Sequence, residues 1–395
     1  MISKSKIIVF DFPGHPFQYE LSENLSLFDN LDIYHLYNAK QLGPKSSFKK
    51  KKDLSVIQVN KSFSKNFYIR FFDEILYSFL ICHQIIKIKP NSIISSNCPL
   101  IPQFFIYLLC KVLKINFIFW LQDIISIAAK EILKKQRNFL QKIVSTIFFK
   151  MEFFILRNSD HVITISNDFD KILIKNGINK NNITCIPNWA PLKDIPQKKK
   201  INSFSLENNL EDSFNILYSG TLGFKHNPDV IIDLSKFLIN KKINAKIVMI
   251  SEGTAVEYLK RQSKKSNLKN IIFLPFQNFD IFPEVLATAD ISLVMLEKSA
   301  GQFSVPSKLL SILCSGRIPI VYVSSSNLSA RIVTNHKCGF SVDSNKELNE
   351  MVQSIYENFS SYQYIADNSR NYAEKNFDIN IIAEKFKKII LYKYY

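Results

Sequence analysis

The stretch Ser304-Val305-Pro306-Ser307-Lys308 runs on into Leu309-Leu310-Ser311-Ile312-Leu313-Cys314-Ser315-Gly316 and then Ile318-Pro319-Ile320-Val321-Tyr322-Val323. Pro306 has no N–H to donate and suits the first turn of a helix, and Ser307 is placed to cap the N–H groups left open there. From Leu309 the apolar residues recur at helical spacing, and Gly316 stands where that helix should stop. Ile318 to Val323 is a continuous apolar run, expected as a buried strand. Loop, helix start with an adjacent lysine, and returning strand make one unit of an α/β fold. Helix N-termini bind anions, because their N–H groups are unpaired and the dipole is positive there. The element therefore reads as a holder for the diphosphate of a nucleotide-activated substrate. A plain helix start with a solvated lysine is the competing reading.

Outward from this element, strands and helices alternate. Lys6 to Asp11 reads as a buried strand, Phe12-Pro13-Gly14-His15-Pro16 as a tight turn and Phe17 to Phe28 as a helix. Further strands are expected at Leu31 to Leu36, Val56 to Val59, Ser92 to Ser95 and Asn116 to Leu121, with helices over Phe67 to Ile88 and Ile101 to Leu113. Lys130 to Arg157 reads as an amphipathic helical segment with Lys134, Lys135, Arg137 and Lys142 on its polar face. The pattern breaks over Pro191 to Asp212, which reads as a linker, and resumes at Asn215. The expected architecture is α/β: two Rossmann-like, doubly wound domains, 1–190 and 213–375, with a substrate cleft at their interface. The basic amphipathic helix 379–395 is expected to pack back on the first.

With 395 residues, 47% of them hydrophobic, the chain has ample material for two cores. The net charge of +17 implies an anionic partner: a phosphorylated substrate, an anionic lipid surface or nucleic acid. Nucleic acid is the weakest of these, because the basic residues show no aromatic interleaving or recognition motif. The six cysteines form no CxxC pair and no His/Cys cluster, and read as reduced residues of a cytosolic protein. No signal peptide is evident, and the most apolar window, Ile101 to Leu121, is broken by Gln103, Lys111, Lys114 and Asn116. No metal site is expected. Only nine glycines are used, six of them in the second half, so each is expected where the backbone cannot accept a side chain.

Tyr218-Ser219-Gly220-Thr221-Leu222-Gly223-Phe224-Lys225-His226-Asn227 opens a strand into a glycine-bearing turn with a lysine before the next helix. It is neither a Walker A nor a GxGxxG motif, but glycines admit phosphate and a lysine adds charge. Lys225 and Lys308 would then share a diphosphate and stabilise a departing phosphate. Ser251-Glu252-Gly253 ends the next strand, where Glu252 is a candidate for hydroxyl groups of ribose or sugar, as is Glu297 before the focal loop. In the first half, Gly14-His15 and Gln122-Asp123 both follow strands, where open α/β sheets bind ligands. His15 is a candidate for phosphate contact or proton transfer and Asp123 for sugar hydroxyls, with Asn97 and Asn188 as further polar candidates. For each residue the alternative is an ordinary structural or solvated side chain.

Taken together these residues resemble a bacterial glycosyltransferase of family 4, a retaining enzyme of the GT-B fold, over most of the chain. Pro13-Gly14-His15-Pro16-Phe17-Gln18, Trp120-Leu121-Gln122-Asp123 and Ile186-Pro187-Asn188-Trp189-Ala190 resemble the acceptor-side half of capsule and O-antigen members. Tyr218 to Gly223, Leu274-Pro275-Phe276-Gln277, Ala289-Asp290 and Val305-Pro306-Ser307-Lys308 resemble the donor-side half. The resemblance implies a nucleotide-diphosphate sugar, a UDP-sugar, as co-substrate without other cofactor, and a lipid-linked or oligosaccharide acceptor. It puts the basic pair on Lys225 and Lys308, the glycine loop on Gly220, Thr221 and Gly223, and the helix-start phosphate site on Pro306, Ser307 and Lys308. Many members carry two glutamates eight positions apart around this loop. Aligned on Gly316, those positions are Phe303 and Ser311, so Glu297 or Glu252 would have to substitute at the donor site. In the front-face route proposed for such enzymes the departing phosphate takes the acceptor's proton, so no paired acid and base are required. Lys130 to Arg157 and the Lys49–Lys52 loop imply a peripheral place on an anionic membrane, at the inner face of the plasma membrane. A catalytically silent nucleotide-sugar-binding or scaffold homologue and a sugar-nucleotide 2-epimerase are the alternatives.

Overall fold

In the computed structural model, which describes residues 4–41, 53–64, 66–127, 139–296 and 306–391, the chain divides into two compact units. The first comprises Met1–Asn188 with Ile379–Tyr395, and the second Trp189–Asp378.

The first unit is built on β1 (Ser5–Asp11), β2 (Leu31–Tyr37), β3 (Leu54–Gln58), β4 (Ser92–Ser96), β5 (Asn116–Leu121), β6 (His161–Thr164) and β7 (Ile183–Cys185). Their order is β3-β2-β1-β4-β5-β6-β7, and every pairing is parallel. Such a sheet is covered by helices on both faces, which is why its strands are continuous apolar runs rather than alternating ones. Ile7, Val9, Ile93, Phe117 and Ile118 are fully buried. The chain leaves β1 in one direction and returns through β4 on its other side, so the crevice lies beyond the carboxyl ends of β1 and β4. The register places Asp11 opposite Ser96 at that edge.

The second unit repeats the plan with β8 (Phe214–Ser219), β9 (Ala245–Ile250), β10 (Ile271–Leu274), β11 (Ile291–Met295), β12 (Ile318–Tyr322) and β13 (Phe340–Val342). The order β10-β9-β8-β11-β12-β13 puts the direction change between β8 and β11. The residues after β8 begin the glycine turn, and those after β11 lead to the focal helix, Lys308–Ser315. Gly316 ends that helix in the left-handed conformation (φ +61°) as the sequence implies.

Two expectations differ from the structure. Ser307 makes no side-chain capping bond: its own backbone is already helical (φ −62°, ψ −21°), whereas a capping serine needs an extended one. Residues 191–212, read as a linker, belong to the second unit; they include the helix Ser203–Glu207 and bury Ile195, Phe204 and Leu210. The polar composition there reflects capping, since Asn202 and Ser205 bond reciprocally across the helix start. Of Lys130 to Arg157 the helix Phe139–Asn158 is observed; Lys134, Lys135, Arg137, the Lys49–Lys52 run, Glu297 and Phe303 lie outside the described residues.

Candidate functional site

In the second unit the glycine turn and the focal helix meet. Gly220 has φ +126°, and a Cβ there would stand 2.3 Å from Lys308 Cε, so the lysine side chain lies directly against a backbone kept bare for it. Lys308 Nζ sits 5.2 Å from the centre of the Tyr218 ring and donates to the Thr221 carbonyl at 3.4 Å. The Tyr218 hydroxyl donates to the same carbonyl at 3.0 Å. Burial, and secondarily the charge of Lys225, lowers the Lys308 ammonium to about 8. His226, buried beneath the turn, accepts from the Gly223 N–H through Nδ1 at 2.9 Å. Burial first, then Lys308 and Lys225, push its imidazole down to about 3, so it stays neutral. Lys225 thus acts electrically on Lys308, both lysines act on one histidine, and neither has an ion pair with a described residue.

The adjoining loop is fixed from behind. Ser251 Oγ donates to the Gly220 carbonyl at 2.7 Å, and the Leu222 N–H donates to the Glu252 carbonyl at 2.9 Å. Gly253 has φ +131°, and a Cβ there would meet the Leu222 carbonyl oxygen at 2.5 Å. Ser251, Glu252, Gly253, Lys260, Leu274 and Pro275 line a pocket of about 310 Å³, with the Glu252 side chain exposed at its edge. Thr221 is exposed, and Pro306 and Ser311 are half-buried. Ser311, one turn along from Lys308, brings no charge to the site.

In the first unit His15, Gly14 and Asn97 gather around Asp11, a fully buried carboxylate at the end of β1. Asp11 accepts from the His15 backbone N–H, from His15 Nδ1 at 3.2 Å and from Asn97 Nδ2 at 3.1 Å. With its nitrogen turned toward the carboxylate, the Gln18 amide donates to Asp11 at 2.5 and 2.7 Å and accepts from Ser96 Oγ at 2.5 Å. With a proton on Nδ1, the His15 ring donates to Asp11. Gly14, at φ +78°, fits because a Cβ would press on the Tyr37 ring at 2.7 Å. Gln122 and Asn188 pair through their amides, at 2.5 and 3.3 Å. Asp123 is exposed beside them. The loop it belongs to is held by Glu152, which accepts from the Ile125 N–H at 3.1 Å, the Ser126 N–H at 3.0 Å and Ser126 Oγ at 2.5 Å.

Sequence reasoning placed Lys225, Lys308, Gly220 and Gly223 in one group and His15 with Asn97 in another, and each group converges. It missed Tyr218, His226, Asp11 and Glu152. The spacing of Asp11 four residues before His15, and of His226 three after Gly223, is the signal that would have found two of them.

Residues 199–372 match the profile of the family described as glycosyl transferases group 1. WcaI of Escherichia coli K12, a protein named as a colanic acid biosynthesis glycosyl transferase, is 30% identical over 164 residues, which is 41% of this chain and 40% of that protein. The chain thus spans about two fifths of the length of the curated relative it matches. Among solved structures, Anabaena HepE in complex with UDP-glucose superimposes with a TM-score of 0.70 at 14% identity, over 97% of this chain and 98% of that one. Sucrose-phosphate synthase from Thermosynechococcus elongatus superimposes with a TM-score of 0.75 at 12% identity, over 99% and 98%. The two-sheet Rossmann-like fold is therefore that of GT-B glycosyltransferases, and the match to the group 1 profile falls in the second unit.

Proposed function

We propose that the chain is a retaining glycosyltransferase that moves a sugar from a nucleotide-diphosphate donor, a UDP-sugar, to a lipid-linked glycan acceptor in cell-surface polysaccharide synthesis. One observation carries the reading. Lys225 and Lys308 are held within electrical reach of each other, without an ion-pair partner among the described residues, against a glycine turn that leaves room for phosphate. Like charges set together this way repel, and a diphosphate removes the repulsion. The group 1 profile over the same residues and the UDP-glucose complex of HepE support the choice of donor.

In this reaction the bond between the sugar's anomeric carbon and the diphosphate oxygen breaks, and a bond from the acceptor hydroxyl oxygen to that carbon forms on the same face. The hydroxyl proton passes to the departing phosphate. Lys308 and Lys225 stabilise the negative charge that develops there. On the acceptor side, His15, held by Asp11, and Asn97 align a hydroxyl, and the Gln122–Asn188 pair with Asp123 contacts sugar. The protein works at the cytoplasmic face of the plasma membrane, with exposed cations such as Lys142 toward anionic lipid.

Calorimetric titration with UDP-, GDP- and CMP-linked sugars, followed by nucleotide release with a lipid-linked acceptor, tests this. A UDP-sugar is expected to bind, and Lys308→Ala to lower acceptor-dependent release by about a hundredfold to a thousandfold. No binding across the panel, or full release by Lys308→Ala, would contradict it. The uncharged Ser311, at a position where the family resemblance implies a glutamate, favours a second reading: a silent nucleotide-sugar-binding homologue, which binds without releasing nucleotide. Consumption of the UDP-sugar with no acceptor present would point instead to a 2-epimerase.

A further inference from the structure

Three helices of the first unit, Phe67–Ile88, Leu100–Val112 and Phe139–Asn158, present one apolar surface that the described residues leave exposed. On the first of them Tyr68, Phe72, Leu76 and Phe79 follow one face and are 76, 65, 54 and 61% exposed. The opposite face of the same helix is also apolar and is buried, through Tyr77, Ile81 and Ile85. A helix with apolar residues on both its buried and its exposed face is one that expects cover on both.

The surface continues across the neighbouring helices through touching rings. Phe79 lies 6.1 Å from Phe105, Phe105 lies 6.4 Å from Phe104, and Phe104 lies 6.2 Å from Phe154 (centroid distances). Val112 and Leu108 extend it on the second helix and Ile147 and Ile143 on the third, all exposed. So large an exposed apolar patch marks an interaction surface.

Charge decides the occupant. The same three helices carry exposed Lys87, Lys142, Lys150 and Arg157, besides Arg70 and Lys111, which are paired with Glu74 and Asp160. Their only acidic residues are taken inward: Asp73 is bound by Lys61 and the Ser64 N–H, Glu74 is buried against Arg70, and Glu152 is buried against the Ile125–Ser126 backbone. A second copy would set these cations against themselves. No helix among the described residues is long and apolar enough to cross a membrane, so the surface fits a bilayer that it lies on rather than spans.

We propose that this three-helix face docks into the surface of an anionic phospholipid bilayer, with its rings at the headgroup–acyl boundary and its cations among the phosphates. The proposal deepens the membrane part of the reading above and rests on it, but is independent of the donor chemistry. It is tested by flotation of the full chain with vesicles of phosphatidylglycerol and phosphatidylcholine, and with phosphatidylcholine alone. The parent is expected to float with the anionic vesicles, and Phe72→Ser/Leu76→Ser/Ile147→Ser to lose about a hundredfold in partition while still binding nucleotide sugar. As a check free of any folding loss, Tyr68→Trp should be quenched by brominated acyl chains, since Trp120 and Trp189 are both buried. Unchanged flotation of the triple variant, with no quenching at position 68, overturns the apolar docking face and leaves adsorption by surface cations. No flotation of the parent overturns both membrane claims and leaves the donor chemistry untouched. A dimer or an acidic protein partner that the triple variant releases, without vesicle binding, also overturns it.

Discussion

At the scale of single residues, the glycine turn of the second unit depends on how Gly220 and Lys308 share space. Gly220→Ala places a methyl group where Lys308 Cε now runs, and forces a φ of +126° that side chains rarely adopt. The lysine end can swing aside, so the loss is expected mainly in ligand affinity: a tenfold or greater fall for UDP-sugar, with about 1–3 kcal/mol of stability from the backbone strain. Calorimetry and urea unfolding on the same variant separate the two; unchanged affinity would show that Lys308 is not the diphosphate ligand. These residues stood out in the sequence because glycine lets a ligand approach the backbone and lysine adds charge, with an ordinary turn or helix start as the competing reading. His226 and Tyr218 were not, because an imidazole kept neutral under a turn and a ring beneath an ammonium leave no mark in composition. Asp11 was hidden in the same way, as the last residue of an apolar strand that turned out to hold His15, Asn97 and Gln18 together.

At the scale of elements, the loop after β5 shows how a helix can hold a binding segment in place. Glu152 projects from the helix Phe139–Asn158 and takes up the N–H groups of Ile125 and Ser126, just past Gln122-Asp123. Burial raises its carboxyl to about 7 despite the donors of Ser126 and Ile125, so the site is sensitive to what faces it. Glu152→Ala leaves the buried Ser126 N–H and the part-buried Ile125 N–H without that acceptor and is expected to cost about 1–3 kcal/mol, read as a lower urea midpoint. A loss under 1 kcal/mol would mean the loop is held by other contacts. Element types and order were readable from periodicity: Phe67–Ile88 and Asn116–Leu121 were placed to the residue. Helix starts were less so. The sequence offers Ser307 as a cap, but a serine already in helical conformation cannot reach the open N–H groups. The polar run 191–212 reads as a linker because capping groups and linkers share a composition, while its three buried apolar residues are too few to form a pattern.

For the molecule as a whole, two parallel sheets, each reversing direction beside its first strand, place His15, Asn97, Gln122, Gly220 and Glu252 just past the carboxyl ends of strands. That much follows from alternating apolar runs and helical segments. Partner chemistry follows less directly, since a charge of +17 does not say where the positive groups gather. The central claim is that Lys308 and Lys225 hold a diphosphate, and it is tested most directly by the pH dependence of UDP affinity. With Lys308 lowered to about 8 by burial and by Lys225, its proton is lost in the ligand-free protein above that pH. UDP affinity should then fall by up to about tenfold per pH unit above 8, while Lys308→Ala binds UDP weakly at every pH and uridine stays flat in both. Equal UDP affinity in the parent and in Lys308→Ala, on both sides of pH 8, would contradict it.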